Sequence, residues 1–206
     1  MSAPLDLASH LILAPAGLAE RDLERVLHDL MSYQVDSADL YFQSSRHESW
    51  SLEDGIVKSG SHSIERGVGV RAVSGEKTGF AYSDEIVLPA LTQAAGAARA
   101  IARAGQEGRV QAWARGGKQA LYKAVDPIDS LSSADKISLL HAVDAEARRI
   151  DPRVKQVMVS MAAVHDVVLV AASDGTFAAD VRPLVRLNVS VVAEDGDRRE
   201  QGSSGG

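Results

Sequence analysis

The pair His47-Glu48 is the first place in this chain where residue types could do hydrolytic chemistry. Zinc peptidases place His and Glu on a helix, where a second His one turn later completes the ligand set and Glu activates water. Ser49, Trp50 and Ser51 follow here without a second His, and the surrounding residues have the pattern of a strand. Because neighbouring residues on a strand point to opposite faces, the pair lacks the geometry of that motif. We expect a polar strand face here.

The run Gly67-Val-Gly69-Val-Arg-Ala72 has the spacing of part of a dinucleotide-binding fingerprint. That fingerprint works only where the glycines link a strand to the N-terminus of a helix, which then binds the pyrophosphate. These glycines fall inside a predicted strand that leads into another turn. Glycine inside a strand marks a bulge or a close approach of another backbone. We therefore predict a structural role and no nucleotide site.

Together with several carboxylates, Ser44, Ser45, His47 and His62 supply the residue types of a hydrolytic triad. No Gly-x-Ser-x-Gly elbow is present, and a triad is defined by a geometry that spacing cannot supply. We interpret their co-occurrence as chance.

The remaining histidines also lack the spacing of metal ligands. His10, His28 and His141 fall on predicted helices, where we expect surface or boundary side chains. The pair His165-Asp166 is predicted to lie at a turn between strands, because Asp is common in turns.

Composition narrows the class of protein. The chain has 206 residues, 45% of them hydrophobic, with a net charge of -6. An acidic chain of this kind is not expected to bind nucleic acid over a broad surface. Without cysteine it has no disulfide or thiolate ligand. A start without basic residues and the lack of a long apolar run predict a cytoplasmic protein with no membrane contact.

One local stretch is basic despite the acidic total. It contains Arg99, Arg103, Arg109, Arg115, Lys118 and Lys123 against a single nearby acid, Glu107. Such a run usually is a solvated helix end and loop, and contact with an acidic partner is the alternative.

Apolar periodicity predicts four helices. A short helix with Pro4 in its first turn ends at Pro15-Ala-Gly17, and a second runs from about Glu20 to Tyr33. The third helix, from Ile86 to about Arg103, has a buried line of Val87, Leu91, Ala94, Ala98 and Ile101. The fourth, from about Ser133 to Ile150, has a buried line of Ile137, Leu140, Val143, Ala147 and Ile150.

Strand patterns and tight turns fill most of the rest. Predicted strands cover Asp39 to Leu52, Ile56 to Val73, the stretch up to Tyr82, Val154 to Val164, Val167 to Ala172, and Val181 to Ala193. Asp54-Gly55 suits a type I′ hairpin, in which both central residues need a positive φ, and Asp174-Gly175 and Asp195-Gly196 are further turns. In the last strand Val185, Leu187, Val189 and Val191 are predicted to be buried, and a partner strand begins after Gly196.

Helices and hairpin meanders without βαβ units predict an α+β fold of antiparallel sheets backed by helices, in two layers and compatible with two lobes. We expect an N-terminal lobe at 1–105, a linker at 106–125 that overlaps the glycine-dotted Gly105–Gln119 loop, and a helix with antiparallel strands at 126–206. No catalytic, cofactor-binding or metal-binding residue is assigned within the chain.

Several blocks of sequence identify a family. Asp39-Leu-Tyr-Phe-Gln-Ser-Ser-Arg-His-Glu-Ser-Trp50, Gly67–Ala72 and Ser74–Tyr82 resemble the N-terminal region of TldD-type members of the TldD/TldE (PmbA) metallopeptidases. Leu121–Pro127, Val168–Thr176 and Ala178–Leu187 continue the resemblance in the same order, so it covers nearly the whole chain. Gly105–Gln119 and the first residues are the least similar.

The resemblance implies an activity whose chemistry lies outside this chain. Family members are zinc peptidases with a His-Glu-x-x-x-His helix in their C-terminal half, and no position here matches that motif. They are expected to act with a TldE/PmbA-like paralogue as a heterodimer on unfolded peptides or peptide precursors, and have also been described as modulators of DNA gyrase. The chain is then the non-catalytic N-terminal part of such a hydrolase, inactive by itself. A non-catalytic interaction module, such as an inactive paralogue, is the alternative.

Overall fold

The computed structural model describes residues 3–32, 35–102, 110–114 and 121–206. The helices are α1 (Ala3–Ala8), α2 (Glu20–Met31), α3 (Leu88–Ala102) and α4 (Ser133–Ile150). The strands are β1 (Ser37–Glu53), β2 (Ile56–Ser74), β3 (Lys77–Ser83), β4 (Val154–Ala172), β5 (Phe177–Asp195) and β6 (Arg198–Gly205). They form one six-stranded antiparallel sheet of order β3-β2-β1-β4-β5-β6, which confirms the α+β fold class.

The predicted helices are present, with small differences at their ends. After α1 the chain continues through a π turn (Ser9–Leu13) and a 3-10 turn (Ala14–Ala16), and Gly17 ends it with φ 65°. At the start of α2, Asp22 accepts a hydrogen bond from the Ala19 backbone N–H at 2.8 Å. The Ser132 hydroxyl caps α4 by accepting from the Asp135 N–H at 3.2 Å. These contacts satisfy donors that the first helical turn leaves open.

The first hairpin has the predicted turn. Asp54 and Gly55 have φ of 49° and 72°, as a type I′ turn requires. The Asp54 carboxylate accepts from the Val157 N–H at 3.0 Å and from Arg148 at 2.7 Å. These bonds, in that order, hold the pKa of Asp54 below its usual value. The glycines of the other turns, Gly75, Gly175 and Gly196, also have positive φ.

Contact clustering divides the chain into two compact units, each with its own core. Unit 1 comprises Met1–Ser45, Glu65–Ala124 and Asp166–Arg182, and unit 2 comprises Arg46–Ile64, Val125–His165 and Pro183–Gly206. In unit 1, α1, α2 and α3 bury apolar side chains against strand residues such as Leu40, Phe42, Val70 and Leu169. In unit 2, Leu140 of α4 packs against Leu52, Val157, Val159 and Met161.

Two strand predictions were wrong. His165-Asp166 is not a turn but lies inside β4, a single strand from Val154 to Ala172, and β5 begins at Phe177 rather than Val181. The alternation of buried residues continues from Met161 through His165 to Val167, so main-chain pairing decides the local structure. Asp is depleted in strands but not excluded from them.

Four residues of the predicted buried lines are exposed: Val87, Ile101, Ile150 and Val185. Each lies at or near the end of its predicted line, whereas Leu91, Ala98 and Leu140 in the middle are fully buried. Apolar periodicity identifies which face of a helix or strand is buried. It does not show how far along that element the packed neighbours extend.

Part of the predicted linker is anchored. The Gln111 N–H donates to the Ser173 carbonyl at 2.8 Å, and the Ala114 N–H donates to the Gly175 carbonyl at 2.6 Å. Trp113 packs on Phe177, with ring centroids 5.2 Å apart. Residues 103–109 and 115–120 lie outside the described part of the chain, as do the basic residues Arg103, Arg109, Arg115 and Lys118.

Candidate functional site

An open groove on unit 1 is one of the concave sites formed by the described residues. It has a volume of about 380 Å³ and runs along β2 between side chains of β1 and β3. The lining comes from Tyr41, Gln43, Ser45, Glu65, Arg66, Gly67, Val68, Gly69, Phe80, Tyr82, Ser83 and Asp84. We call it the glycine groove.

Two glycines form the floor of this groove. A Cβ at position 67 would lie 3.1 Å from the Ser83 carbonyl oxygen, and one at position 69 would lie 3.1 Å from the Phe80 ring. Both glycines are in β2 and are opposite β3, with Gly69 paired to Tyr82. As predicted, the run is a strand with close neighbours and not a nucleotide-binding loop. The Phe80 ring and the Ser83 carbonyl approach the sheet where these two glycines have no side chain.

A row of polar side chains on β1 forms one side of the glycine groove. The Tyr41 hydroxyl donates to the Gln43 amide oxygen at 3.2 Å, and the Gln43 amide nitrogen donates to the Ser45 hydroxyl at 2.9 Å. Residues two apart on a strand share a face, so the row follows from the alternation. Ser45 is buried and engaged by an amide rather than by a base. This arrangement positions polar groups but does not activate a nucleophile.

Exposed aromatic rings form the opposite side. Phe80 is 57% exposed and Tyr82 is 80% exposed. They are two residues apart on β3, while Gly79 of the same strand is buried. Sequence reasoning missed this site because it treated the aromatic pattern only as a strand signal. An aromatic-x-aromatic strand opposite Gly-x-Gly could have indicated it.

Charged residues lie at one end of the glycine groove. Glu65, Arg66 and Asp84 are exposed there, and none of them takes part in the ion pairs found among the described residues. Elsewhere on unit 1, the pKa of Arg182 is raised, first by its hydrogen bond to Asp180 and also by the charges of Tyr41 and Asp166. The groove end itself therefore carries two carboxylates and one guanidinium.

A second polar cluster lies in unit 2. Lys136 of α4 is buried and donates to the Glu48 carboxylate and, at 2.5 Å, to the Ile128 carbonyl. The Trp50 indole N–H donates to the other oxygen of Glu48 at 3.0 Å. His47-Glu48 is on β1 as predicted, and Glu48 is thus a partner in a buried ion pair.

Arg46 of β1 forms ion pairs with the turn at Asp126–Ser130. Its guanidinium donates to Asp126 at 2.6 Å and to Asp129 at 3.1 Å. Burial raises the pKa of Asp126, but the Ile128 N–H, His165, the Asp129 N–H and Arg46 outweigh it and hold the pKa below its usual value. His165 is 3% exposed, and its Nδ1 lies 3.5 Å from the Asp126 carboxylate.

The remaining histidines do not converge. His10, His28 and His141 are exposed on helices as predicted, and His62 is exposed on β2. Within the described residues no three His, Cys, Asp or Glu side chains are grouped as metal ligands. The best-placed carboxylates, Glu48 and Asp126, are bound by Lys136 and Arg46, and such cations disfavour a metal ion beside them. These residues therefore do not fit a zinc ion.

Comparison with known protein families gives two matches in sequence order. Residues 38–102 match PmbA/TldA metallopeptidase domain 1, and residues 126–206 match the PmbA/TldA metallopeptidase central domain. A protein of Haemophilus influenzae named Metalloprotease TldD homolog is 50% identical over 204 residues. The match covers 98% of this chain and 42% of that relative, so the chain spans less than half of the relative's length.

Solved structures share the fold at low sequence identity. A proposed modulator of a DNA gyrase from Thermotoga maritima has a TM-score of 0.73 at 18% identity, covering 90% of this chain and 42% of its own. TldE from Thermococcus kodakarensis has a TM-score of 0.69 at 14% identity, covering 89% of this chain and 42% of its own. No helix in the described part of the chain is both long and apolar enough to cross a bilayer.

Proposed function

Because this chain belongs to the PmbA/TldD metallopeptidase family, we propose that it is the N-terminal, non-catalytic part of a TldD-like zinc metallopeptidase. The longer protein degrades unstructured peptides or trims peptide precursors together with a TldE/PmbA-like paralogue in the cytoplasm. The observation that carries the proposal is the match to domain 1 and the central domain, over 42% of a relative named as a metalloprotease.

The chemistry of the described residues supports a division of labour. The carboxylates of Glu48 and Asp126 are used in ion pairs, and the hydroxyls of Ser44 and Ser45 are buried. Zinc and its ligands then belong to the remaining part of the longer protein. In this proposal the N-terminal lobe spans 1–105, the linker spans 106–125, and the helix with antiparallel strands spans 126–206.

The structure suggests how such a part would handle a substrate. β3 and β6 are the outermost strands of the sheet. An extended peptide can add to a strand edge through main-chain hydrogen bonds, which read little sequence and suit a broad range of unfolded chains. We assign this non-catalytic part the role of favouring extended substrates over folded ones.

Peptidase assays test the proposal. The longer protein mixed with its TldE-like paralogue should cleave an unstructured peptide, and chelation of metal should abolish cleavage until zinc is restored. The 206-residue chain should cleave nothing with or without zinc. Chelator-resistant cleavage by this chain alone would refute a non-catalytic role.

A non-catalytic interaction module is the second candidate, favoured by the ion pairs that Glu48 and Asp126 form with Lys136 and Arg46. Sequence beyond Gly206 separates the two. A downstream His-Glu-x-x-x-His supports the peptidase, and a degraded motif supports the module.

A further inference from the structure

The glycine groove has features of a surface that binds a peptide through side chains on the face of the sheet. Its floor strand β2 pairs with β1 on one side and β3 on the other, so its main chain is already used. A ligand must therefore contact side chains across the face of the sheet. Phe80 and Tyr82 are two strand positions apart, which spaces them by about 6.7 Å. This is the spacing of alternate side chains in an extended peptide.

The groove also favours a particular kind of side chain. The exposed faces of Phe80 and Tyr82 attract cations, with a contribution of about 0.5–1 kcal/mol per contact at exposed sites. Glu65 and Asp84 lie at the end of the same groove without ion-pair partners among the described residues, against one guanidinium of Arg66. The lining charge is thus -1, in a chain of net charge -6. Rings and unpaired carboxylates together match a Lys or Arg side chain.

Apolar contact complements this charge. The Phe80 ring lies over Gly69 and is 57% exposed, so it offers an apolar surface to a ligand side chain. Tyr41 and Gln43 are held by hydrogen bonds along β1 and give that side a fixed shape. Little ordering of this wall is then needed on binding, which reduces the entropic cost.

We propose that the glycine groove binds an extended peptide segment with basic and apolar side chains at alternating positions on one face. This deepens the proposed peptidase function, on which it rests for its biological meaning. The groove then retains unstructured substrate and biases the longer enzyme toward basic peptides.

The test is equilibrium binding to the 206-residue chain, measured by fluorescence anisotropy without metal. The probe is the fluorescein-labelled peptide Gly-Arg-Ser-Leu-Ser-Arg-Gly, compared with the same peptide carrying Glu in place of both Arg. We expect the basic peptide to bind and the acidic one to bind at least about tenfold more weakly, because two charges reverse sign near carboxylates. Equal binding of the two peptides overturns the proposal.

Two variants locate the binding. Tyr82→Ser should weaken it roughly two- to fivefold, as loss of one exposed ring contact predicts. Glu65→Gln with Asp84→Asn should weaken it and reduce its dependence on salt. Tyr122→Ser is the matched control, because Tyr122 is another exposed tyrosine of unit 1 that does not line the groove. Circular dichroism checks that each variant is folded.

The same measurements distinguish the other occupants. If Tyr122→Ser weakens binding as much as Tyr82→Ser, the groove is not the site. Dimerisation that Tyr82→Ser abolishes would assign the groove to a second copy of the chain. Binding that is present here but absent in the longer protein would assign it to the rest of that protein. Each result overturns the proposal, while loss of peptidase activity alone leaves it standing.

Discussion

At the scale of single residues, unit 2 contains a buried ion pair that determines what its neighbours can do. The Lys136 and Glu48 side chains are 4% and 10% exposed, and Glu48 also accepts from Trp50. The hydrogen bonds that Lys136 donates and Glu48 accepts satisfy groups that would otherwise be costly to bury. The pair explains why the carboxylate of His47-Glu48 is not available for a metal or for water activation.

Lys136→Met tests this pair. Removing the ammonium leaves the Glu48 carboxylate buried without its cation, and we expect a loss of about 3–5 kcal/mol in the free energy of unfolding. Urea denaturation followed by circular dichroism measures it. Lys58→Met is the control, because Lys58 and Glu53 are half exposed and 3.9 Å apart, so the loss should stay below about 1 kcal/mol.

The double variant Lys136→Met/Glu48→Met should recover most of the loss, because no unpaired charge then remains. If Lys136→Met alone costs no more than Lys58→Met, the buried pair does not stabilise unit 2.

At the scale of elements, the packing of α3 on β3 depends on one glycine. A Cβ at position 79 would lie 1.9 Å from the Ala98 backbone carbonyl oxygen, so α3 and β3 approach each other closely there. A second glycine, Gly96, lies in α3 itself, and a Cβ added there would meet open space among the described residues. Position 79 has no room for a side chain, whereas position 96 has room for one, although β3 and α3 pack against each other.

Alanine substitutions at these glycines should therefore change stability in opposite directions. Gly79→Ala forces backbone to move and should cost about 1–3 kcal/mol. Gly96→Ala should add about 0.5–1 kcal/mol, because alanine loses less backbone entropy in a helix. Urea unfolding followed by circular dichroism measures both. A shift in the same direction for the two variants would contradict this packing of α3 on β3.

Elements were predictable where local signals agreed. The hairpin at Asp54-Gly55 and the helix Ser133–Ile150 are both present, because turn chemistry and apolar period act through neighbouring residues. The interruption predicted at His165-Asp166 is absent, because pairing along β4 overrides the weak strand preference of two residues. The exposed Ile150 shows the same limit for a helix end.

At the scale of the whole molecule, charge and length bound the function. The net charge of -6 disfavours attraction to a polyanion. The chain also covers only 42% of a relative named as a metalloprotease. Peptidase activity is therefore proposed for a longer protein that contains this chain.

We expect this chain not to bind duplex DNA at physiological salt. Phosphate contacts supply most of non-specific DNA affinity, and an acidic chain has no broad basic field to make them. Anisotropy of a fluorescein-labelled duplex with micromolar chain measures this. Binding that weakens steeply with added salt would show that a local basic surface, such as the stretch around Arg99 and Lys123, is enough.

The sequence alone determined the order of helices and hairpins, the α+β class and the family, because each depends on neighbouring residues or on long matching blocks. Tertiary structure decided which of these residues meet. Only the pairing of β2 with β3 brings Gly69 opposite Tyr82 and opens a groove. Only the packing of α4 against β1 joins Lys136 to Glu48 across 88 positions of sequence. Contacts of this kind depend on register and layer packing, which no local pattern encodes.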